Sequence, residues 1–413
     1  MVQRVELGLR SETIRRANLS AIVRALHSDG PLSRSALGAR TGLTRSAIRV
    51  LIGELSAAGL VDESNGPLLL GTPGRPSAVV RLRPGRAAVL ALEVAVDYLA
   101  AGLVGVDGQV LRSRRVDRSR SSVAVEETIS DLVALANALT DVRTGDEIEE
   151  LVGIAVAFAG IVRRTDDVVA MAPNMGWHEV PLGDLLAAAL GTKLRVMVAN
   201  EADLGALAEQ RRGVGRGVQE MLFVSGEVGV GGGLIVDGRP MTGASGYGGE
   251  IGHMPLNPAG GACGCGSFGC WELEIGEHAL LALAGHPIDG GRTEVDRVLD
   301  DARAGDEQAL AAFDQVGTWL GRGVAGLVNV LNPQLIVLGG LFQRIYQFVE
   351  PSLRSEVERL ALRQSAAVVA IASSSLGVDA PLLGAAELAF ERLLDDPASL
   401  ADYTTQAEWR VVA

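Results

Sequence analysis

The sequence predicts a mixed α/β protein with a small winged, helical head at its N-terminus and, later in the chain, a loop built to hold a metal ion. Three observations carry that expectation. After Arg86, apolar runs of strand length alternate with helical segments, the pattern of an α/β body with mixed sheets. Before it, apolar residues recur at helical spacing in an arginine-rich stretch punctuated by turn residues. All three cysteines of the 413-residue chain fall within Cys263–Cys270, beginning ten residues beyond His253.

In the head, Ile14, Ala17, Ala21, Ile22, Ala25 and Leu26 mark the apolar face of a first helix that Ser11 can cap and Gly30-Pro31 ends. Ser33 caps a short second helix reaching Arg40, Thr41-Gly42 turns the chain, and Leu43 is expected to be buried. Thr44 caps a third helix that buries Ile48, Leu51, Ile52 and Leu55 and stops at Gly59. Helix, tight turn, helix is a helix-turn-helix layout, with the last helix aimed at a major groove. Thr44, Arg45, Ser46 and Arg49 occupy its exposed N-terminal face, where side chains reach base edges or phosphates. Past Leu60-Val61 the chain reads as a hairpin to Val79-Val80, and its Pro-Gly-Arg-Pro tip holds Arg75 outward for a narrow minor groove. Residues 1–86 are therefore expected to be a winged helix-turn-helix DNA-binding domain. The competing reading is an ordinary solvated face of arginines.

Charge supports the first reading. The chain carries a formal charge of -13, yet residues 1–86 hold 13 arginines against 6 acids, so residues 87–413 carry -20. An acidic body with a basic head suggests that the head meets a polyanion. No run of 18 apolar residues offers to span a membrane, and Met1–Glu6 opens no signal-type apolar core. Hydrophobic residues at 48% suffice for sizeable cores, and thiols committed to a metal agree with a cytoplasmic location.

In the body, Ala87–Ala95, Tyr98–Val106 and Gln109–Val116 read as strands, the last two joined by an Asp107-Gly108 turn. A helix at Val125–Leu139 and a buried strand at Leu151–Phe158 follow. The alternation continues with strands at 194–199, 220–225, 232–236 and 334–338 and helices at 201–212, 307–331 and 341–363. His253, Cys263, Cys265 and Cys270 together form a closed four-ligand set of imidazole and thiolates suited to Zn²⁺. With every coordination position taken by protein, such a zinc is structural. A chance cluster or a Cys-x-Cys redox pair competes, but there is no further cysteine to resolve a disulfide. Glu250 and Glu272 bracket the knot, where two carboxylates can accept hydrogen bonds from neutral hydroxyls such as those of a sugar ring.

The order Glu-x-x-His-x9-Cys-x-Cys-x4-Cys-x-Glu over residues 250–272 resembles the signature of the ROK family, which contains sugar-responsive repressors and sugar kinases. The resemblance implies a two-lobed actin-like ATPase (sugar kinase) fold for residues 87–413, with sugar and nucleotide sites in the cleft between lobes. It implies sugar contacts from Asn174, in Ala172-Pro-Asn174, from Asn200 and Glu201, in Val198-Ala-Asn200-Glu201-Ala202, and from Glu250, His253 and Glu272. Glu201 stands where family kinases have the aspartate that takes the proton from the hydroxyl to be phosphorylated. One extra methylene moves that carboxylate by roughly 1 Å, enough to cost about 100-fold where a reacting geometry must be met. The phosphate loops also depart. Glu93-Val-Ala95-Val96-Asp97 replaces Asp-x-Gly-Gly-Thr, and Glu227-Val228-Gly229 replaces Gly-Thr-Gly. Ala, β-branched Val and a carboxylate stand where glycines and hydroxyls let a backbone approach phosphate. The stretch Asn332–Gly340, near the adenosine pocket in kinases, matches well but would also build core strand.

These residues lead to a sugar-responsive transcriptional regulator, a repressor, with a kinase body that does not turn over; ATP and Mg²⁺ are not expected as cofactors. A working ATP-dependent sugar kinase with a fused head is the alternative. A regulator that answers a partner protein instead of a sugar is a third reading, opposed by the retained sugar residues. The expected partners are a sugar or sugar derivative, a second or further copies of the chain in a homodimer or homotetramer, and operator DNA. The operator would be an inverted repeat with A·T-rich flanks, its half-sites about one helical turn apart.

Overall fold

A computed structural model describes residues 11–64, 78–120, 124–140 and 148–400. The head comprises α1 (Ser11–Asp29), β1 (Leu32–Ser33), α2 (Arg34–Thr41), α3 (Arg45–Ala57), β2 (Val61–Ser64) and β3 (Val79–Leu82). Ser33 caps α2 by accepting from Ala36 N–H, and Thr44 caps α3 by accepting from Ala47 N–H. Gly42, at φ 72°, makes the left-handed turn between them, a conformation that costs a residue with Cβ. Helix α3 buries Ile48, Leu51, Ile52 and Leu55 at the expected spacing. Strands β2 and β3 pair antiparallel as the base of the wing, with β1 on the far side of β3. The wing tip with Arg75 lies outside the described residues.

Two expectations for the head need correction. The buried stripe of α1 is Leu19, Ile22, Val23, Ala25, Leu26 and His27, so Ile22, Ala25 and Leu26 are buried as expected, while Ile14 is 47% exposed and Ala17 is also on the surface. A regular helical period cannot say which of two neighbouring faces will meet a partner, and here the body covers the face containing a histidine. Leu43 is only half-buried, packed at the margin of the core.

The first lobe contains β4 (Ala88–Val94), β5 (Tyr98–Gly105), β6 (Val110–Asp117), α4 (Val125–Thr140), β7 (Leu151–Phe158), β8 (Ile161–Arg163), β9 (Val168–Ala172), β10 (Trp177–Val180), α5 (Leu182–Leu190), β11 (Val196–Asn200) and α6 (Glu201–Arg212). Its main sheet runs β11-β7-β4-β5-β6, parallel among the first three and antiparallel beyond. Every residue of β4, β5 and β7 is buried, which is why they read as continuous apolar runs and not as alternations.

The second lobe contains β12 (Met221–Gly226), β13 (Val230–Val236), β14 (Arg239–Pro240), α7 (Glu272–Ile275), α8 (Glu277–Leu283), α9 (Gly291–Arg303), α10 (Glu307–Leu331), β15 (Leu335–Gly340), α11 (Leu341–Leu360), α12 (Arg363–Ala366) and β16 (Ala370–Ser373). Its sheet is ordered β14-β13-β12-β15-β16. Helix α11 stops three residues short of the expected 363, because Leu362 N–H donates to the Asn329 side chain (2.7 Å) and leaves the helical path. The last helix, α13 (Ala380–Asp395), returns to pack on β4 and β7 of the first lobe.

Helix α6 lies between the lobes, touching α13 on one side and β12 and β13 on the other. A single apolar core runs from Leu19, Ile22 and Leu26 of the head through Leu37 and Ile48 into Leu90 and Phe390 of the first lobe. Only a short turn, Pro84–Arg86, separates head from body along the chain. Among the described residues no helix is long and apolar enough to cross a membrane.

Candidate sugar cleft and metal knot

A cleft of about 310 Å³ opens between the lobes, and Asn174, Asn200, Glu201, Glu250, His253 and Glu272 all line it. Residues up to 98 positions apart in sequence meet there. Asn174 sits in the turn Pro173–Met175 between β9 and β10, a hairpin anchored by Trp177 stacked on Phe158 with ring centroids 5.5 Å apart. Asn200 ends β11 and caps α6: its Oδ1 accepts from Ala202 N–H (2.7 Å) and Asp203 N–H (3.3 Å), and its Nδ2 donates to Gly160 O (3.0 Å). That leaves one amide N–H to offer a ligand. Burial pushes the Glu250 carboxyl above its usual range, an effect that His253 opposes and Glu272 reinforces.

The four cysteine and histidine side chains expected to bind metal come together. One donor atom from each of His253, Cys263, Cys265 and Cys270 lies within 4.8 Å of the others. Cys263 Sγ is 3.7 Å from His253 Nδ1, and Cys265 Sγ is 3.6 Å from Cys270 Sγ. A tetrahedral ion with about 2.3 Å bonds to sulfur needs donors roughly 3.8 Å apart, so the cage has the size of a metal site. Glu272 touches both the knot and the cleft. Its Oε1 accepts from Cys263 S–H (2.9 Å) and stands 3.3 Å from His253 Nδ1, while Oε2 faces Gly229 at the cleft floor. His253 directs Nδ1 at the sulfurs and holds Nε2 3.9 Å from Glu250 Oε2. Both cleft carboxylates therefore stand directly against the knot.

The part of the cleft lined by Ala95–Tyr98 and Glu227–Gly231, where the family resemblance puts the phosphate loops, carries side-chain contacts of its own. Glu93, 1% exposed, accepts a short hydrogen bond from Tyr98 O–H, and Arg115 stacks over the Tyr98 ring at 3.5 Å. Asp97, the carboxylate at the hydroxyl position of the first loop, has a cation beside it. It accepts from Arg120 (2.9 Å), which also binds Glu277, while Arg292 stands 3.5 Å from Glu227. Burial pushes the Glu93 carboxyl up to about 8 and raises Glu201 and Glu227 as well, with the neighbouring acids adding to the last two. Burial and the neighbouring acids thus favour the neutral form of Glu201, which lines the cleft.

The glycines retained in the second loop have a packing reason. A Cβ on Gly233 would lie 2.3 Å from Ala202 O, and one on Gly232 would lie 2.6 Å from Ile251 Cδ1. They let β13 press against α6 and the loop before the knot, whether or not a phosphate ever binds. Likewise Leu335–Gly340 is wholly buried as β15, so this stretch is core strand. Sequence reasoning missed Tyr98, Arg120, Glu277 and Arg292. Arg120 and Glu277 are 157 positions apart, and nothing local marks them as partners.

On the head, Arg45, Ser46 and Arg49 are exposed on α3, and Thr44 Oγ lies 3.1 Å from Ser46 Oγ. The head's other described arginines are mostly paired with acids: Arg34 with Glu63, Arg40 with Asp29, Arg83 with Glu149, Arg86 with Glu150. Arg15, Arg16 and Arg24 also meet acids, and Arg81 donates to Ser64. Among the described residues only Arg45 and Arg49 of the head's arginines have neither ion pair nor hydrogen bond. Among the described residues of the head, the unpaired arginines thus lie where α3 faces outward.

Comparison with known proteins agrees with this arrangement. The ROK family profile matches residues 89–392. The chain belongs to the ROK family. Within that family it is 27% identical to the xylose repressor of Bacillus spizizenii, over 92% of this chain and 97% of the repressor. It is 31% identical to a glucokinase of Thermotoga maritima, over 71% of this chain and 94% of the kinase. The crystal structure of a ROK transcriptional regulator, a homologue of the E. coli MLC protein, superposes with a TM-score of 0.76 at 24% identity, covering 95% of this chain and 99% of that one. That last likeness supports the fold. The ROK profile begins at residue 89, after the head, and in this ROK chain the head is built onto the family's α/β body.

Proposed function

We propose that this ROK protein is a sugar-responsive DNA-binding transcriptional repressor whose kinase-type cleft binds a sugar without phosphorylating it. One observation carries the reading: Asn174, Asn200, Glu250, His253 and Glu272 converge on a single cleft, while the residues at the phosphate-loop positions are engaged in the Glu93–Tyr98, Asp97–Arg120–Glu277 and Glu227–Arg292 contacts. Asn174, Asn200, Glu250, His253 and Glu272 would bind the sugar, with Glu201 facing the hydroxyl that a kinase would phosphorylate. Thr44, Arg45, Ser46 and Arg49 would meet DNA, and Arg75 would reach an adjacent minor groove. Residues 1–86 would serve as the DNA-binding unit and 87–413 as the effector-binding unit. The relatives named for xylose and glucose point to an aldose of five or six carbons as the effector.

Zn²⁺ fits the cage of one nitrogen and three sulfurs better than a harder ion would. When bound it would staple the loop and fix Glu250 and Glu272. Three thiols kept reduced for a metal suit the cytoplasm. A homodimer or homotetramer would let two heads read an inverted repeat.

The kinase reading has support from the glucokinase relative. It is separated by measuring sugar binding calorimetrically and sugar-dependent ADP release on the same protein. D-Xylose or D-glucose should bind with no ADP release above background. Robust phosphorylation of either sugar, abolished by Glu201→Ala, would establish the kinase instead.

A further inference from the structure

Helix α6 begins in the sugar cleft and ends at the DNA-binding head. Asn200 caps its start, Glu201 is its first residue, and its last residues, Arg211 and Arg212, reach a buried charge cluster under α1. Twelve residues at 1.5 Å each span about 18 Å. Ala202 through Glu209 are all buried, and α6 is gripped by β13 on one side and α13 on the other, so it moves as a rod or not at all.

The cluster at its far end joins three elements. Glu387 of α13, 1% exposed, accepts from Arg211 (3.2 Å) and Arg212 of α6 and lies 3.1 Å from His27 Nε2 of α1. Arg212 Nη2 is itself 2.7 Å from His27 Nε2, and His27 Nδ1 bonds Val106 O. His27 is 3% exposed and meets the edge of Phe390, with ring centroids 5.4 Å apart. One step out, Glu391 binds both Arg211 of α6 and Arg24 of α1. A buried carboxylate stripped of its cations is far more costly than an exposed one, so these side chains must stay together when any one element shifts.

We propose that α6 transmits the state of the sugar cleft to the head, with Glu387 as the positioning residue that locks the C-terminal end of α6 to α1. Hydrogen bonding of a sugar at Asn200 and Glu201 loads the N-terminal end of the rod. Displacement at the other end is passed through Arg212 and Glu387 to His27, and so to the helix on which α2 and α3 pack. This rests on the reading of the protein as a sugar-responsive repressor and specifies how that response travels.

The test uses the full-length protein, D-xylose and D-glucose as probes, and a labelled duplex from the chain's own promoter region. Wild type should show a sugar-dependent change in DNA affinity of at least tenfold. Glu387→Gln should reduce that change to less than about twofold while sugar affinity and sugar-free DNA affinity each stay within about threefold of wild type. Full retention of the sugar-dependent change in Glu387→Gln would overturn the relay and leave the repressor reading standing. If that variant does not fold, hydrogen exchange on wild type decides. Sugar alone should alter protection in residues 209–212 and 19–27 together, and a change confined to the cleft would overturn the relay. Wild type that binds sugar and DNA with neither affecting the other would remove both readings.

Discussion

Tyr98 donates its phenolic hydrogen bond to Glu93 across the first hairpin of the body, at the stretch that stands in the place of the family kinases' first phosphate loop. The pair is buried, and its acid is held protonated by lack of water more than by any partner.

That pair makes stability depend on pH. The folded-state value of Glu93, about 8, lies above the 4.5 of an unfolded chain, so the folded state holds a proton that the unfolded state releases. Stability from this group is complete below pH 4.5 and falls as pH rises toward 8. Glu93→Gln keeps an acceptor for Tyr98 and removes the ionisation. The variant should melt with wild type at pH 4.5 and at least about 3 °C above it at pH 8.5. Equal melting temperatures at both pH values would show that Glu93 ionises freely.

Metal analysis of freshly purified protein should find about one zinc per chain, a stoichiometry set by four ligands in one knot. Cys265→Ser should lose the ion, lower the melting temperature and weaken sugar binding at least tenfold, since Glu250 and Glu272 lie at the two ends of the loop that the ion closes. Chelation of wild type should reproduce all three effects. Metal-free protein that binds sugar normally would separate the knot from the cleft.

Arg49→Ala should weaken operator binding by about 1–3 kcal/mol, because Arg49 is exposed on α3 with no internal partner. Arg34→Ala is the control: its guanidinium is bonded twice to Glu63 and its loss should cost less than about twofold in affinity. Comparable losses in gel shifts would mean that the head meets DNA through another face.

Glu250→Ala should lower sugar affinity at least tenfold, the scale of a lost hydrogen bond to a carboxyl group in a partly closed site, and leave sugar-free DNA binding unchanged. Calorimetry and gel shifts on one preparation check both halves. Normal sugar affinity in this variant would remove Glu250 from the site.

Local patterns in the chain were enough for the caps at Ser33 and Thr44, the buried row of α3, the strand Leu151–Phe158 and the helix Glu307–Leu331, each of which appears at those residues. The metal knot was legible for the same reason: its four ligands lie within 18 positions, and ligand type and spacing are local properties. The side chains proposed to bind sugar were picked out through family motifs, each a short word in the sequence, and all of them line one cleft.

What the sequence by itself determined is therefore the set of elements, the charge of the head and the chemistry of the knot, because propensity, periodicity and ligand spacing act over a few residues. Tertiary structure decided which charges remain free. It paired Asp97 with Arg120 and Arg34 with Glu63, left Arg45 and Arg49 unpaired, buried His27 against Glu387, and turned α1 to hide Leu19 and Val23 while exposing Ile14. Those outcomes depend on contacts between residues tens to hundreds of positions apart, where the free energy of burying a charge is set by what the fold brings beside it.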